Sequence, residues 1–207
     1  MVDSTGHASR TEVEAAPSRP DRRVARHDAT KREIVGAAWD LSLHRGLAGW
    51  ALKDVGDAVG MRAPSLYGYF DGKNALYDAM FAAGYRELVA MAQTTPRVRD
   101  DPRATVLRAA RVFIDFCVAN PARFQLLFLR TVPGFEPSTE SYELAVTALG
   151  AFVDVLRDAG VTDPADVDLW TAVLTGLASQ QVSNDPGGSR WSGLVETAVI
   201  RLLPPAS

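Results

Sequence analysis

Apolar residues recur at helical spacing along most of this chain, and no segment shows the strict alternation expected of a strand. The densest signal runs from Leu52 to Leu76, LKDVGDAVGMRAPSLYGYFDGKNAL. Leu52, Val55 and Val59 share one face of a short helix over 52–59, and Gly60 supplies the backbone freedom for a sharp turn. Met61, Leu66 and Phe70 then form the apolar side of a second short helix over 63–70. Upstream, Thr30 and Glu33 have the spacing of a capping box for a helix running to Arg45, with Ile34, Ala37, Ala38 and Leu41 as its buried stripe. Downstream, Leu76, Met80, Tyr85, Leu88 and Met91 mark a helix from Lys73 to about Gln93.

The second half repeats one device for starting helices. Asp101-Pro102, Asn120-Pro121 and Asp163-Pro164 each place a capping side chain before a proline at the first helical position. With Ser138 as a further cap, the periodicity predicts helices near 102–119, 121–130, 139–159, 164–183 and 189–203. The fold class is all-α: a three-helix helix-turn-helix domain over 29–75, followed by a helical bundle over 76–207. Residues 1–28 lack apolar periodicity and carry Pro17 and Pro20, so they read as a disordered basic arm. A solvated tail is the plain interpretation of that arm. The sharper one has Arg19, Arg22, Arg23 and Arg26 touching DNA phosphates or the minor groove.

The outward face of the second short helix carries the most pointed chemistry. Leu66 and Phe70 take its inward side, leaving Arg62, Ala63, Pro64, Ser65, Tyr67, Gly68 and Tyr69 for the other. Small residues, hydroxyls and one arginine are a poor core but suit the DNA major groove, which admits a single helix. The net charge of −3 changes this picture little, because its distribution is uneven. Residues 19–62 hold nine basic groups against six acidic ones, a local excess of +3.

Composition narrows the remaining classes. An apolar fraction of 47% and a charged fraction of 23% are ordinary for a soluble globular protein. No apolar run is long enough to cross a bilayer and the first residues have no apolar stretch of the secretory type, so a cytoplasmic protein without membrane partners is expected. Cys117 is the only cysteine, which excludes an internal disulfide. His7, His27 and His44 have no metal-binding spacing, and no nucleophile stands beside a plausible base. Neither a metal, nor a cofactor, nor catalytic activity is expected.

The bundle is rich in aromatic side chains, and bundle cores are a common place for ligand cavities. Phe113, Phe116, Cys117, Phe124, Phe128, Phe152 and Trp170 are the candidate pocket residues, suited to an apolar or aromatic molecule. The same side chains serve equally well as a dry core.

Gly46 after the first helix, KDVGDAVGM at 53–61, LYGYF at 66–70, and Lys73 with Leu76 together resemble the TetR family of transcriptional regulators. The resemblance is close over residues 29–80 and architectural beyond. It implies a homodimer that places two recognition helices, here about 63–69, into successive major grooves of a pseudo-palindromic operator on double-stranded DNA. It also implies a repressor whose C-terminal domain binds a small-molecule ligand that releases the DNA.

Carried over by position, Arg62, Ala63, Ser65 and Gly68 lie nearest the bases, with Pro64 among them. Tyr67, Tyr69 and Lys73 would contact phosphates, and Lys53 is a weaker phosphate candidate. The last two helices would form the dimer interface through Trp170, Val173, Leu174, Leu177, Trp191, Leu194, Val195, Ala198 and Leu202. The chain departs from the family pattern at Trp50-Ala51, at Arg62 and at Gly68, where a threonine, a serine cap and a larger residue are usual. Two alternatives stand beside the repressor: a helical ligand-binding protein or enzyme with a vestigial reading domain, and a DNA-binding activator without an inducer.

Overall fold

The Asp-Pro and Asn-Pro pairs start helices as their chemistry requires. In a computed structural model that describes residues 19–203, the Asp101 side chain accepts from the Ala104 amide at 2.8 Å, opening α5 (Pro102–Ala119). Asn120 accepts from Arg123 at 3.0 Å and opens α6 (Pro121–Phe128). Asp163 accepts from Ala165 at 2.9 Å and opens α8 (Pro164–Asn184). Ser138 accepts from Ser141 at 3.2 Å and opens α7 (Thr139–Asp158). Each cap satisfies an amide that the first turn would otherwise leave unpaired.

The first half contains α1 (Arg19–Arg45), α2 (Leu52–Ala58), α3 (Ala63–Tyr67) and α4 (Gly72–Thr94). Among the described residues there is no strand, in keeping with the all-α expectation. Ile34 and Ala38 of α1, Val55 of α2, Leu66 of α3, Phe70, and Leu76 and Met80 of α4 are all buried in one core. Gly56 allows α2 to approach the turn closely: a Cβ there would stand 2.9 Å from the Met61 carbonyl oxygen. Gly60 sits at φ +67, the left-handed conformation the turn demands. α4 is the shared element, touching α1 on one side and α5, α6 and α7 on the other.

Three boundaries differ from the sequence expectation. α1 begins at Arg19, so residues 19–28 are helical and not part of a disordered arm; the arm's residues 1–18 lie outside the described residues. Thr30 is therefore interior to α1 and caps nothing; its hydroxyl donates back to the Arg26 carbonyl at 3.1 Å. Arginine-rich turns form helix readily without an apolar stripe, which is why periodicity alone misses them. α3 stops at Tyr67, where Gly68 takes over as its C-cap. The last helix starts later than expected: a 3-10 turn over Ser192–Leu194 runs directly into α9 (Val195–Leu202). Buried Gln181 caps this start, since its side-chain carbonyl oxygen accepts from the Trp191 and Ser192 amides at 2.9 and 3.0 Å.

Candidate nucleic-acid interface and ligand cavity

The recognition surface is built on buried Leu66 and Phe70, which turn the remainder of the α3 segment outward. Arg62, Pro64, Ser65, Tyr67 and Gly68 are all exposed, and Lys53 is exposed on α2. Arg62 occupies the N-cap of α3 without any capping side-chain bond, so its guanidinium projects free of the helix it starts. Ala63 is the first residue of α3, between Arg62 and Pro64. Tyr67 is 58% exposed, too open to be a packing residue. Its hydroxyl is available to a phosphate oxygen, as a backbone contact needs.

Tyr69 and Lys73 are placed differently from the expectation. Tyr69 is half-buried, and its ring stacks on His27 of α1 with centroids 4.9 Å apart and planes 24° apart. Lys73 turns inward. Its Nζ donates to the Trp50 carbonyl at 2.6 Å and lies 4.1 Å from the Trp50 ring and 5.3 Å from the Tyr77 ring. Burial lowers its pKa below the ordinary lysine value, opposed by the nearby Asp54 carboxylate. Lys73 thus holds the loop before α2 against α4 and does not project from the outward face.

Trp50, one of the departures from the family pattern, explains that arrangement. Its indole N–H donates to Ser42 Oγ at 2.8 Å, and Ser42 in turn donates to the Ala38 carbonyl at 2.7 Å. Tyr77 adds a hydrogen bond from its hydroxyl to the Leu47 carbonyl and an edge contact with the Trp50 ring at 5.4 Å. The loop 46–51 is therefore tied to both α1 and α4. At the start of α2, the Asp54 carboxylate accepts from the Ala51 amide at 2.7 Å, in place of a threonine cap.

A cavity of about 760 Å³, open to solvent on the α7 side, lies between α4, α5, α7 and α8. Phe113, Phe128 and Phe152 line it, together with residues the sequence did not single out, among them Tyr85, Leu88, Tyr142, Ala148 and Thr175. The other candidates do not. Phe116, Cys117, Phe124 and Trp170 are at most 1% exposed and pack in the core behind it. Burial pushes the Cys117 thiol pKa far up, which leaves it a small apolar group. At the cavity edge Arg97 is paired with Asp158, and Asp154 with Arg157 at 2.5 Å, so the charges there neutralise one another. Among the described residues no group of acidic, histidine and cysteine side chains could hold a metal ion.

The residues assigned to a dimer interface divide in the same way. Trp170, Leu174 and Val195 are buried within the subunit. They cannot meet a partner, because their helices use those faces to close the bundle. Val173, Leu177, Trp191, Ala198 and Leu202 are half-buried or exposed, and Leu194 is exposed. Exposed Leu169 and Ala172 share the outward side of α8 with half-buried Val173, and Ile200 extends the apolar surface on α9. No helix among the described residues is long and apolar enough to cross a membrane.

Comparisons with known proteins match two family models along the chain. The family described as "Bacterial regulatory proteins, tetR family" matches residues 34–80, and "Tetracyclin repressor-like, C-terminal domain" matches residues 106–191. The chain is 31% identical over 198 residues to the HTH-type transcriptional regulator Rv1816 of Mycobacterium tuberculosis, covering 84% of this chain and 80% of that protein. It is 26% identical over 172 residues to the class A tetracycline repressor protein from transposon 1721 of Escherichia coli, covering 82% and 75%. A tetR-family transcriptional regulator from Streptomyces coelicolor has the same fold, with a TM-score of 0.67 at 23% identity over 84% of this chain and 79% of that one. So does a TetR variant from Acinetobacter baumannii in complex with minocycline, with a TM-score of 0.57 at 18% identity over 82% and 91%.

Proposed function

Because the chain belongs to the TetR family of transcriptional regulators, we propose that it is a dimeric repressor released from a pseudo-palindromic operator by a small apolar ligand. The observation that carries this reading is the pairing of an outward recognition helix with an apolar cavity, joined through α4. Arg62 is the candidate base reader, since a guanidinium can grip guanine with two hydrogen bonds. Tyr67 and Lys53 take backbone phosphates. The partner subunit packs on the face of α8 and α9 that carries Leu169, Ala172, Leu194 and Ile200, where an alanine permits close approach of two helices.

A ligand filling the cavity would act through the start of α7. Tyr142, Ala145, Ala148 and Phe152 of α7 line the cavity. The cap of that helix, Ser138, is bonded to Asp78 of α4. On α4, Tyr77 directly before Asp78 and Lys73 rather more than one turn toward its start hold the loop that leads into α2. Displacing α7 therefore pulls on the helix that sets the position of the reading head. The ligand need only bind the displaced arrangement better: a tenfold preference, about 1.4 kcal/mol, shifts the equilibrium tenfold. The lining is mostly apolar and its edge charges are paired, which favours an uncharged ligand. A neighbour of the same fold in complex with minocycline supports a small-molecule ligand.

Fluorescence anisotropy on duplexes tiled across the gene's own upstream region tests the reading. Tight, selective binding that weakens steeply with salt and is lost on adding a neutral aromatic compound is the expected outcome. Equal, weak binding to every fragment would argue for a bundle that binds ligands beneath a vestigial reading head.

A further inference from the structure

The stripe of α1 that packs on the reading head has a regular course. Ser42, Ala38 and Ile34 are buried, Lys31 lies 5.8 Å from the Phe70 ring centroid, and His27 stacks on Tyr69. One turn further toward the N-terminus the same stripe continues as Arg23 and Val24, with Arg26 beside His27, and all three are exposed. Together with His27 and Tyr69 they line a shallow cleft at the edge of the recognition surface. Neither Arg23 nor Arg26 is paired with a carboxylate among the described residues; the nearby Asp28 is 3.7 Å from His27.

We infer that the first turns of α1 are a second DNA-contacting element, in which Arg23 and Arg26 take phosphates of the duplex flanking each half-site. The inference rests on the DNA-reading assignment above but concerns a different surface. A helix about 10–12 Å across cannot enter a minor groove about 6 Å wide. The guanidinium groups therefore meet the backbone from outside, and the contact is independent of sequence. The His27–Tyr69 stack sets the helix at a fixed angle to α3, so the overhang follows the recognition helix onto the DNA. A solvated tail would lose this registration, and an ordered one loses less entropy on binding.

The test uses the full chain and a duplex recovered by selection from a random library. It compares wild type with Arg23→Ala/Arg26→Ala on that duplex at full length and trimmed to the outer edges of the half-sites. Losing two phosphate contacts in each subunit, four per dimer, should lower the slope of log affinity against log salt by about 3.6. Between about 50 and 200 mM salt the double variant then loses on the order of a hundredfold less affinity than wild type on the long duplex. On the trimmed duplex the two proteins should behave alike, and base preference should be unchanged throughout. An unaltered slope on the long duplex overturns the inference. So does an equal change on both duplexes, which would place the arginines over the half-site itself. An Arg130→Ala control, far along the chain at an exposed ion pair with Glu136, should match wild type. If wild type binds no duplex at all, the DNA-reading assignment fails and this inference with it; if wild type binds and the double variant is indistinguishable, only this inference fails.

Discussion

Asp78 on α4 accepts two hydrogen bonds from Ser138, one from its amide at 2.8 Å and one from its hydroxyl at 3.0 Å. Ser138 is also the cap of α7, so this carboxylate ties the start of α7 to α4, the helix that runs from the reading head into the cavity wall. Asn74 strengthens the junction with a bond to the Gly134 carbonyl at 3.4 Å. Phe135 packs its ring 5.7 Å from Tyr77 and 6.3 Å from Phe81.

Asp78→Ala should uncouple the two halves. The loss of stability should be small, on the order of 1 kcal/mol, because the bonds are exposed and water replaces them. Coupling between sites is reciprocal, so DNA binding should alter amide exchange along α7 in the wild-type protein. In Asp78→Ala, DNA should still bind while that exchange response disappears. An undiminished response would remove Asp78 from the route.

Arg62 and Lys73 should fail in opposite ways. Arg62→Ala should leave the melting temperature unchanged and relax preference at one base pair per half-site by about 1–3 kcal/mol. Lys73→Ala removes a charge-assisted bond and an aromatic contact, and should cost about 1–3 kcal/mol of stability. Its salt slope on DNA should stay near the wild-type value, because the ammonium is turned toward Trp50. A slope lower by about 1.8, one contact from each subunit, would mean that Lys73 swings out to a phosphate.

Trp170 and Leu169 are neighbours in sequence with opposite tasks. Trp170→Ala should cost about 3–5 kcal/mol by emptying the centre of the bundle. Leu169→Lys lies on the exposed face and should leave the folded subunit intact while breaking the dimer. Sedimentation of the two variants separates these outcomes, and a Leu169→Lys dimer of unchanged strength would move the interface elsewhere.

Burial raises the Tyr77 pKa from 10.0 to about 12, so the folded protein favours its neutral hydroxyl. A group raised in this way contributes stability that is complete below pH 10.0 and is lost as pH climbs toward about 12. Urea unfolding from about pH 9 to 11 should therefore show falling stability, and Tyr77→Phe should flatten that fall while lowering the plateau. Lys73 acts in the opposite sense, since its lowered pKa makes stability rise with pH up to the ordinary lysine value of 10.5. An identical pH profile in Tyr77→Phe would locate the titrating group elsewhere.

Much of the fold was legible because its signals are local. An aspartate or asparagine before proline starts a helix through contacts within one turn, and all three such starts stand where the sequence puts them. Val55, Leu66 and Phe70 are recognisable as core because spacing decides which face a helical side chain occupies. The outward positions of Arg62, Ser65 and Tyr67 follow from the same geometry.

Other features depend on what lies opposite in space, which spacing does not encode. The first turns of α1 have no apolar stripe, and the stack of His27 on Tyr69 ties them to the reading head. Lys73 has the position of a phosphate contact, yet the carbonyl and ring of Trp50, brought close by the turn of the chain, draw its ammonium inward. Phe113 and Phe116 are three residues apart and chemically identical, but one lines the cavity and the other is sealed behind it. Local pattern determines which helices form and which face each one buries. Whether a buried face meets a void, a neighbouring side chain or a second subunit is decided only when the helices pack.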